Sequence, residues 1–598
     1  MKRVACIAQL PQIVLIFLIS LCVAPLHAAA RFYKPPEGYL TSAQLPAGFR
    51  AVIRVITLDR RDAFDGSVAH SDFERQAFAL GNRLHIETRE STLRRRLLFA
   101  EGGAVTADLI AETERVLRTE EFLSDAILSV HPLDSGACDV MIATFDQWTT
   151  VPGVGLQVQN LKAADLVQGR WGKLLDEEWF WWAGISESNV LGTGTKLAAA
   201  LKHDLLRDTR SLAATNNNLT SQRLQILAHA AWLSDGDSLV FRVNKPLLSR
   251  TDKYAYGATL TSQENSERVY FDNNLLGELP DRVAEEMAGK PGVVRLFERV
   301  ATQELALTAT RSYGILLKFN IGPTFTFRDH YHAGGLGEPD TALTPYVNLP
   351  LSAQAPEKRT DALAGAAVSL YKYGYRTTRN FRNLKWSESV ETGWRLTTKA
   401  ALNQKWLGAG DGDLRLAEEA VYTGFWDDRI YVTTGLGWQS FVSGSGHMTD
   451  GQADAWAEAA LREHPLTATW VTAAWTNLFA TPKSRQLSLG ELNGLTGFPS
   501  YYYAGQARLL ATVEQRLFPT FEWLTMVPSF AAFFNAGNTF ATAQAFDAGD
   551  LHYSVGLGLR LGRSKSTQKV VQHFNVTFPI GDDYLSGPLV SVLAKKNL

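Results

Sequence analysis

The sequence predicts a mainly β protein, with a transmembrane antiparallel β-barrel of about 16 strands behind a small α+β domain. Three observations support this: an export-like N-terminus, no later apolar run long enough for a membrane-spanning helix, and strand-like alternation to the end. We assign residues 31–150 to the small domain and residues 151–598 to the barrel. A single soluble β-sandwich of that length would be unusually large.

Residues 1–30 have the three parts of a secretory signal peptide. Lys2 and Arg3 form a basic start, Ile13–Ala24 is a short apolar run, and Ala28–Ala30 supplies small residues for cleavage. A transmembrane anchor is the alternative, but the apolar run is shorter than the roughly 20 residues that a spanning helix needs. We therefore expect residues 1–30 to be absent from the mature chain.

The composition indicates the cellular compartment and limits the classes of partner. Once Cys6 and Cys22 leave with the signal peptide, Cys138 is the sole cysteine and no intramolecular disulfide can form, which favours the bacterial envelope. The net charge of −2 gives no electrostatic footprint for nucleic acid. The 30 Phe, 18 Tyr and 15 Trp residues suit either aromatic girdles at two membrane interfaces or a large β core.

The small domain is predicted from helix and strand signals in residues 31–150. Thr106 is placed to cap an amphipathic helix, and a tight turn at Asp134–Gly136 separates two short strands. The expected elements are a strand at Ala51–Leu58, a helix at Asp72–Gly81, a helix after Thr106, and strands at Ile127–Val130 and Asp139–Thr144.

Two stretches of this domain resemble a known module. Glu114–Val130 and Asp139–Thr149 look like parts of a polypeptide-transport-associated (POTRA) domain, the periplasmic module of the superfamily of BamA, TamA and the two-partner-secretion transporters. A generic α+β domain is the alternative. Secretion transporters of this superfamily usually carry two such modules, so a degenerate second one within residues 31–80 stays open.

Strand patterns continue through the rest of the chain. Trp179–Leu201 reads as a turn-broken pair of strands, and within it Glu187–Leu197 resembles the superfamily's motif near the first barrel hairpin. Gly192 and Gly194 lack the spacing and the Lys-Ser/Thr ending of a phosphate-binding loop. The further predicted strands are Ala231–Val243, Gly314–Phe327, Ala362–Tyr375, Ser389–Leu402, Ile430–Phe441, Ala507–Leu517, Leu551–Leu561, His573–Ile580 and Pro588–Lys596.

Two segments read as helical instead. Pro280–Arg299 and Gln452–His464 are expected to be helical insertions in surface loops, and we place the second outside the cell.

Alternation along the last strands separates a lipid face from a lumen face. Side chains alternate between the two faces of a strand, so one set of Ala507–Leu517 is nearly all apolar and the other carries three charges. The same holds for Leu551–Leu561, where Leu557 and Leu559 are expected to meet lipid. The predicted lumen-facing charges are Arg508, Glu514, Arg516 and Arg560.

Neither a metal site nor a catalytic site emerges from the sequence. His330 and His332 lack a third ligand nearby, and Asp411–Asp413 lacks the EF-hand pattern. There is no nucleophile–base constellation, so we expect no enzyme activity and no cofactor.

A second resemblance to the same superfamily lies in Gly494–Gly505, Thr512–Pro519 and Phe533–Phe540. There, an inward-folded loop carries an Arg-Gly-Phe/Tyr tip, whose arginine pairs with the acidic residue of a Phe-x-Asp-x-Gly strand. The corresponding residues here are Thr496, Gly497 and Phe498 in the loop and Asn535 and Gly537 on the strand. With both charges replaced, the resemblance implies an inward loop held weakly by a Thr496–Asn535 hydrogen bond.

The resemblance implies an outer-membrane insertase or translocase with its N-terminal domain in the periplasm of a bacterium. Its partners would be an unfolded outer-membrane or secreted client protein and the outer-membrane lipid, with no nucleic acid; accessory lipoproteins stay open. The alternatives are a passive or gated pore and a secretion transporter for one specific exoprotein.

Overall fold

A computed structural model describes most of the chain after residue 33. The described ranges are 34–64, 72–162, 168, 179–204, 207–220, 222–271, 294–333, 357–379, 381, 387–427, 429–464, 466–481, 485–518, 526–563, 571–580 and 587–595. The predicted signal peptide at residues 1–30 lies outside them.

The small domain contains a mixed five-stranded sheet with three α-helices. Its strand order is β1-β4-β5-β2-β3, in which β2 and β5 are parallel and the other neighbours are antiparallel. The strands are β1 (Leu40–Thr41), β2 (Arg50–Arg61), β3 (Ala104–Thr106), β4 (Leu123–Pro132) and β5 (Ala137–Asp146). The helices are α1 (Asp72–Leu84), α2 (Glu90–Arg94) and α3 (Ala107–Arg118).

Helix α3 supplies one half of the core of this domain. The Thr106 hydroxyl accepts a hydrogen bond from Leu109 N at 3.2 Å, so the predicted cap is confirmed. Ile110 and Leu117 on α3 are fully buried in the cluster that contains Leu128 of β4 and Ile142 of β5. The periodic apolar positions of α3 therefore close the sheet on one face.

The barrel is closed by 20 strands among the described residues, not by the predicted 16 or so. Each strand pairs antiparallel with the next, and β27 returns to β6. Strands β6 to β13 are Thr150–Lys162, Trp179–Val190, Thr195–His203, Asp208–Asn216, Gln225–Leu233, Gly236–Lys245, Tyr254–Phe271 and Val294–Tyr313. Strands β14 to β20 are Leu317–Ala333, Glu357–Arg379, Ser387–Asn403, Leu414–Trp426, Ile430–Val442, Met448–His464 and Thr467–Phe479. Strands β23 to β27 are Ala507–Leu517, Met526–Phe540, His552–Arg563, Val571–Ile580 and Leu589–Lys595, while β21 (Leu487–Leu489) and β22 (Tyr503–Gly505) form a separate hairpin.

Both predicted helical insertions are wrong where the structure describes them. Gln452–His464 lies within β19, and Val294–Arg299 lies within β13; residues 280–293 lie outside the described part. In β19, strand pairing with β18 and β20 overrides the high helix propensity of the alanines. Consequently the extracellular helical insertion that we expected at this position does not exist.

The outer wall of the barrel is mainly apolar. Leu557 on β25 is 66% exposed, and Leu396 and Leu402 on β16 are 48% and 46% exposed. Arg395 and Lys399 alternate with these leucines on the other face of β16. A closed barrel with an apolar outer face and a polar inner face is the form in which strands cross a bilayer. In the described part of the chain, no helix has the length and apolarity for such a crossing.

The small domain rests on one end of the barrel. It contacts the turns after β7, β9 and β11, which all lie at the end where β6 begins. The hydrogen bonds are Arg89 N to Gly192 O (3.0 Å), Asn218 Nδ2 to Arg95 O (3.0 Å) and Arg115 Nη2 to Leu248 O (3.0 Å). The Arg115 guanidinium also lies 4.2 Å from the centre of the Tyr375 ring.

Candidate lumenal site

The connection between β20 and β23 folds against the inner wall of the barrel. β20 is the fifteenth strand and runs in the direction of β6, so this connection starts at the end opposite the small domain. Gly497 at its tip has φ +92°, and a methyl group there would lie 2.6 Å from Thr577 Cγ2 of β26. Glycine is therefore required at this position for both the backbone conformation and the close approach. We call residues 487–505 the lumenal loop.

An apolar cluster holds the lumenal loop together. Leu489, Leu495, Phe498 and Tyr503 are buried against one another, and Leu510 of β23 packs on them. The Tyr503 ring stacks on His552 of β25 with centroids 4.3 Å apart. Burial of these side chains stabilises the loop by the hydrophobic effect, at about 1.5–3 kcal/mol for each fully buried large side chain.

Glu491 is a buried carboxylate within this loop. Its side chain is 1% exposed, in a stretch from residue 490 to residue 507 that contains no other charged residue. Gly497 N donates to Oε2 at 2.6 Å, and Ser591 Oγ of β27 donates to Oε1 at 2.8 Å. The backbone of Glu491 also donates to Phe498 O at 2.9 Å. The carboxylate therefore fixes the tip of the loop and joins it to the barrel wall.

A chain of polar side chains continues from Ser591 across the wall. Asn575 Nδ2 donates to Ser591 Oγ at 3.4 Å, and Arg560 Nη1 donates to Asn575 Oδ1 at 2.6 Å. Arg560 Nη2 lies 3.3 Å from Glu514 Oε2, and Arg516 Nε lies 2.6 Å from Glu514 Oε1. Two carboxylates and two guanidinium groups therefore balance in charge within one buried network.

The wall is shaped around the arginines of this network. A methyl group at Gly558 would lie 2.1 Å from Arg560 Nη1, so a glycine is needed beside that guanidinium. The Arg560 guanidinium lies 5.8 Å from the Phe533 ring centre, and the Arg516 guanidinium lies 4.6 Å from the Trp470 ring centre. Each arginine thus has both a carboxylate and an aromatic neighbour.

The residues selected by sequence have different roles from those expected. Thr496 and Asn535 are both buried, but Asn535 Oδ1 accepts from Thr512 Oγ1 at 2.9 Å and Asn535 Nδ2 donates to Ser554 Oγ at 3.1 Å. Among the described residues there is no Thr496–Asn535 hydrogen bond, so the proposed contact is replaced by bonds within the wall.

The other selected residues lie at the contact between loop and wall. A methyl group at Gly537 would lie 3.1 Å from Leu489 Cδ2, so this glycine lets the loop approach β24. Arg508 Nη1 donates to Ser488 O at 3.2 Å.

Sequence reasoning missed Glu491, Asn575 and Ser591. The isolated charge of Glu491 in a glycine-rich, uncharged loop was a usable signal. Asn575 and Ser591 are common polar residues on strands, and only the strand register brings them into line with Arg560.

Comparison with solved structures gives distant likenesses. BamA from Haemophilus ducreyi lacking POTRA domains 1–3 matches with a TM-score of 0.36 and 11% identity, over 91% of this chain and 84% of that chain. CdiB from Escherichia coli matches with a TM-score of 0.41 and 12% identity, over 91% and 76%. CdiB from Acinetobacter baumannii matches with a TM-score of 0.38 and 8% identity, over 91% and 73%. No family model and no curated protein matches the chain.

All three matches are distant, with identities between 8% and 12%. With TM-scores below 0.5, the function has to be argued from the geometry of this chain itself.

Proposed function

We propose that the protein is a bacterial outer-membrane insertase or translocase for polypeptide clients. Residues 31–150 would act as a POTRA-like periplasmic domain that receives the client, and the barrel would guide it into or across the membrane. The observation that carries this proposal is an open sheet edge in a domain that is docked at the mouth of the barrel.

The open edge belongs to β2. Strand β3 pairs with β2 only from Arg50 to Val52. Beyond Val52, the Ile56 amide faces away from β5 and donates to Glu101 Oε1 at 2.9 Å, so this amide is already paired. In the described part of the chain, Thr57–Asp59 has a strand neighbour only on its β5 side. An extended polypeptide can add to such an edge through main-chain hydrogen bonds.

The lumenal loop supports a gated conduit. A barrel of 20 strands encloses a wide interior, and the loop occupies part of it against β23–β27. The loop meets the wall through polar contacts and through the packing of Leu510 and His552. Because β21 and β22 pair with each other in a sheet separate from the barrel, the loop can leave the wall without unfolding the barrel. A client or a solute would then find a wider passage.

The topology supports the proposed orientation. With an even number of strands, β6 starts and β27 ends at the end of the barrel where the small domain sits. Outer-membrane barrels have an even number of strands and short turns on the periplasmic side. Here the turn after β7 is only four residues long, Leu191–Gly194.

Site-specific photo-crosslinking tests the client edge. A photo-reactive residue at the exposed position Thr57 should form adducts with other envelope proteins in cells, while the same residue in the exposed turn at Asp134 should not. The Ile56 amide points away from β5, and so does the Leu58 amide two residues later. Leu58→Pro therefore removes an outward donor and should abolish the Thr57 adducts while the barrel is retained.

Envelope proteomics of a depletion strain separates the proposal from its alternatives. Loss of several other barrels supports an insertase, and loss of one exoprotein supports a dedicated secretion transporter. Unchanged protein abundance with reduced uptake of small solutes would contradict both and favour a gated pore. The polar interior and the loop inside it are the observations that favour the pore as second candidate.

A further inference from the structure

Helix α1 of the small domain has two apolar faces, and one of them has no partner within the described part of the chain. Phe78 is buried and stacks on Phe64, with ring centroids 5.7 Å apart. Phe73, Leu80 and Leu84 are 75%, 58% and 64% exposed. They are seven and four residues apart, so they lie along one side of the helix. We call these three residues the α1 stripe.

The attachment of α1 places it beside the outer wall of the barrel. Phe64 stacks on Trp148, with centroids 5.9 Å apart. Trp148 lies two residues before β6, and its Nε1 donates to the carbonyl oxygen of Thr150, the first residue of that strand. Two residues further on, Pro152 pairs with Ile185, whose side chain is 55% exposed on the apolar exterior. The aromatic stack under α1 therefore lies at the end of β6, next to the rim of the apolar exterior.

The segment after α1 is held at the rim of the same wall. Asn189 Nδ2 at the end of β7 donates to Thr88 Oγ1 at 2.9 Å, and Arg89 N donates to Gly192 O at 3.0 Å. Leu191, in the turn between these two contacts, is 64% exposed. The C-terminal end of α1 thus lies within a few residues of the point where the apolar exterior of the barrel ends.

We propose that α1 lies in the interface of the membrane that the barrel spans, with the α1 stripe at the boundary between headgroups and acyl chains. Exposed apolar residues on one side of a helix, with charged residues elsewhere on it, are typical of helices that lie on a membrane surface. Arg83 is exposed beside the α1 stripe and can meet lipid headgroups, whereas the exposed Arg75 is paired with Asp72 at 2.9 Å. Continuity with the lipid-facing wall identifies lipid as the occupant.

This inference rests on the proposed membrane location of the barrel, and it adds a second attachment of the small domain. The first attachment is to the turns of the barrel, and the second is to the lipid beside β6 and β7. Together they would hold the open edge of β2 at a fixed height below the membrane.

The test uses the chain from residue 31 to residue 598 in phospholipid nanodiscs. A single cysteine at Leu84 carries an environment-sensitive fluorophore, and matched variants of the same chain carry it at Arg75, an exposed position on the other side of α1, or at Leu557 of the barrel exterior. The unsubstituted chain controls for Cys138, which is buried. Phospholipid with a spin label near the headgroup should quench the Leu84 label at least about twofold more than the Arg75 label, and phospholipid with a spin label in the acyl chain should quench the Leu557 label.

Labels at the three sites distinguish failure of the α1 proposal from failure of the barrel proposal. Quenching at Leu557 without quenching at Leu84 overturns the membrane contact of α1 and leaves the barrel proposal standing. Absence of quenching at both sites overturns both. Emission from Leu84 that depends on protein concentration and not on spin-labelled lipid would mean that a second copy covers the stripe, which also overturns the proposal. A Leu80 label that behaves like the Leu84 label supports the stripe as a unit.

Discussion

The lumenal loop and the small domain are attached to the same barrel in physically different ways. The loop is joined to the wall through buried charge: Glu491 is 1% exposed, and Arg560 at the other end of the chain of contacts is 2% exposed. The domain is joined through hydrogen bonds to three turns, made by Arg89 N, Asn218 Nδ2, Arg115 Nη2 and the Glu112 carboxylate, and through a half-exposed ion pair, Lys196–Glu121, at 2.5 Å.

This difference predicts different sensitivity to substitution. Breaking a buried charged contact leaves the partner charge without compensation, at about 3–5 kcal/mol. The attachment of the domain is instead divided among several hydrogen bonds of about 0.5–3 kcal/mol each and an exposed ion pair of about 0–1 kcal/mol. The loop should therefore respond to single substitutions, whereas the domain should leave the barrel only after several.

The largest effect is expected from Arg560→Met. It leaves Glu514 with Arg516 alone and disconnects Asn575 from the network, so we expect a loss of about 3–5 kcal/mol of stability. Arg395→Met is the matched control, because Arg395 and Glu419 form a lumenal pair 3.5 Å apart in which both side chains are about half exposed. Urea-dependent folding into lipid vesicles measures both variants, and equal effects would contradict the distinction between buried and exposed charge.

The charged face of this region was predictable from sequence, but its connections were not. Alternation alone placed Arg508, Glu514, Arg516 and Arg560 on one face, because strand side chains alternate regardless of register. Which of them meet depends on the pairing of β23 with β24 and β25, and a shift of that pairing by two residues leaves the alternation of faces unchanged.

The predicted number of barrel strands and the helix predicted at Gln452–His464 were wrong for related reasons. In β19, the alanines between Gln452 and Arg462 favour a helix on intrinsic propensity. The polar residues Gln452, Asp454, Glu458 and Arg462 nevertheless lie on one face at even spacing, which is the strand period. Alanine on the lipid face hides the alternation, and strands of this kind account for part of the difference between 16 and 20.

A smaller effect is expected from Glu491→Gln. The amide keeps the shape of the carboxylate but removes its charge and replaces one acceptor oxygen with a donor, so we expect the loop to be held less tightly by about 1.5–3 kcal/mol. Single-channel recording should show more frequent or longer open periods than in the native chain. Unchanged conductance would show that Glu491 does not hold the loop.

A double-mutant cycle sharpens this point. Glu491→Gln and Ser591→Ala should show a coupling of about 0.5–3 kcal/mol, since their oxygens are 2.8 Å apart. The cycle of Thr496→Arg and Asn535→Asp is the matched comparison. Because Asn535 bonds to Thr512 and Ser554, the stability lost through Thr496→Arg should not be restored by adding Asn535→Asp. Recovery in that double variant would instead support the pairing that the family resemblance implied.

For the small domain, Arg115→Ala should have only a modest effect. It removes one hydrogen bond to Leu248 O and one cation–π contact with Tyr375, together about 1–2 kcal/mol. Distances between spin labels at Asp134 and Asp411 report docking, and the single variant should keep the native distance distribution. Adding Lys196→Ala should broaden it only slightly. Complete release by Arg115→Ala alone would contradict the distributed attachment.

The smallest effects concern pH, and they contrast two carboxylates within the small domain. Burial raises the pKa of Glu114 on α3, although Arg118 Nη2 lies 2.6 Å from its Oε1 and opposes the shift. A hydrogen bond and charge attraction from Arg54 lower the pKa of Asp139 on β5. The folded domain therefore favours the protonated form of Glu114 and the ionised form of Asp139.

These two shifts act on stability in opposite directions. A group whose pKa is raised by folding stabilises the folded domain at pH values below its unfolded pKa. That stabilisation is lost as the pH rises through the folded pKa. A group whose pKa is lowered by folding stabilises the folded domain at pH values above its unfolded pKa. That stabilisation is lost as the pH falls through the folded pKa. Hydrogen-exchange protection of the β4 and β5 amides, corrected for intrinsic exchange, measures both between pH 3 and pH 7. In Glu114→Gln, the decrease in protection that occurs as the pH rises should disappear. In Asp139→Asn, the decrease that occurs as the pH falls should disappear. Because Arg54, the partner of Asp139, is 60% exposed, salt should weaken the effect of Asp139 and leave that of the buried Glu114 unchanged. Equal salt dependence would contradict this assignment of causes.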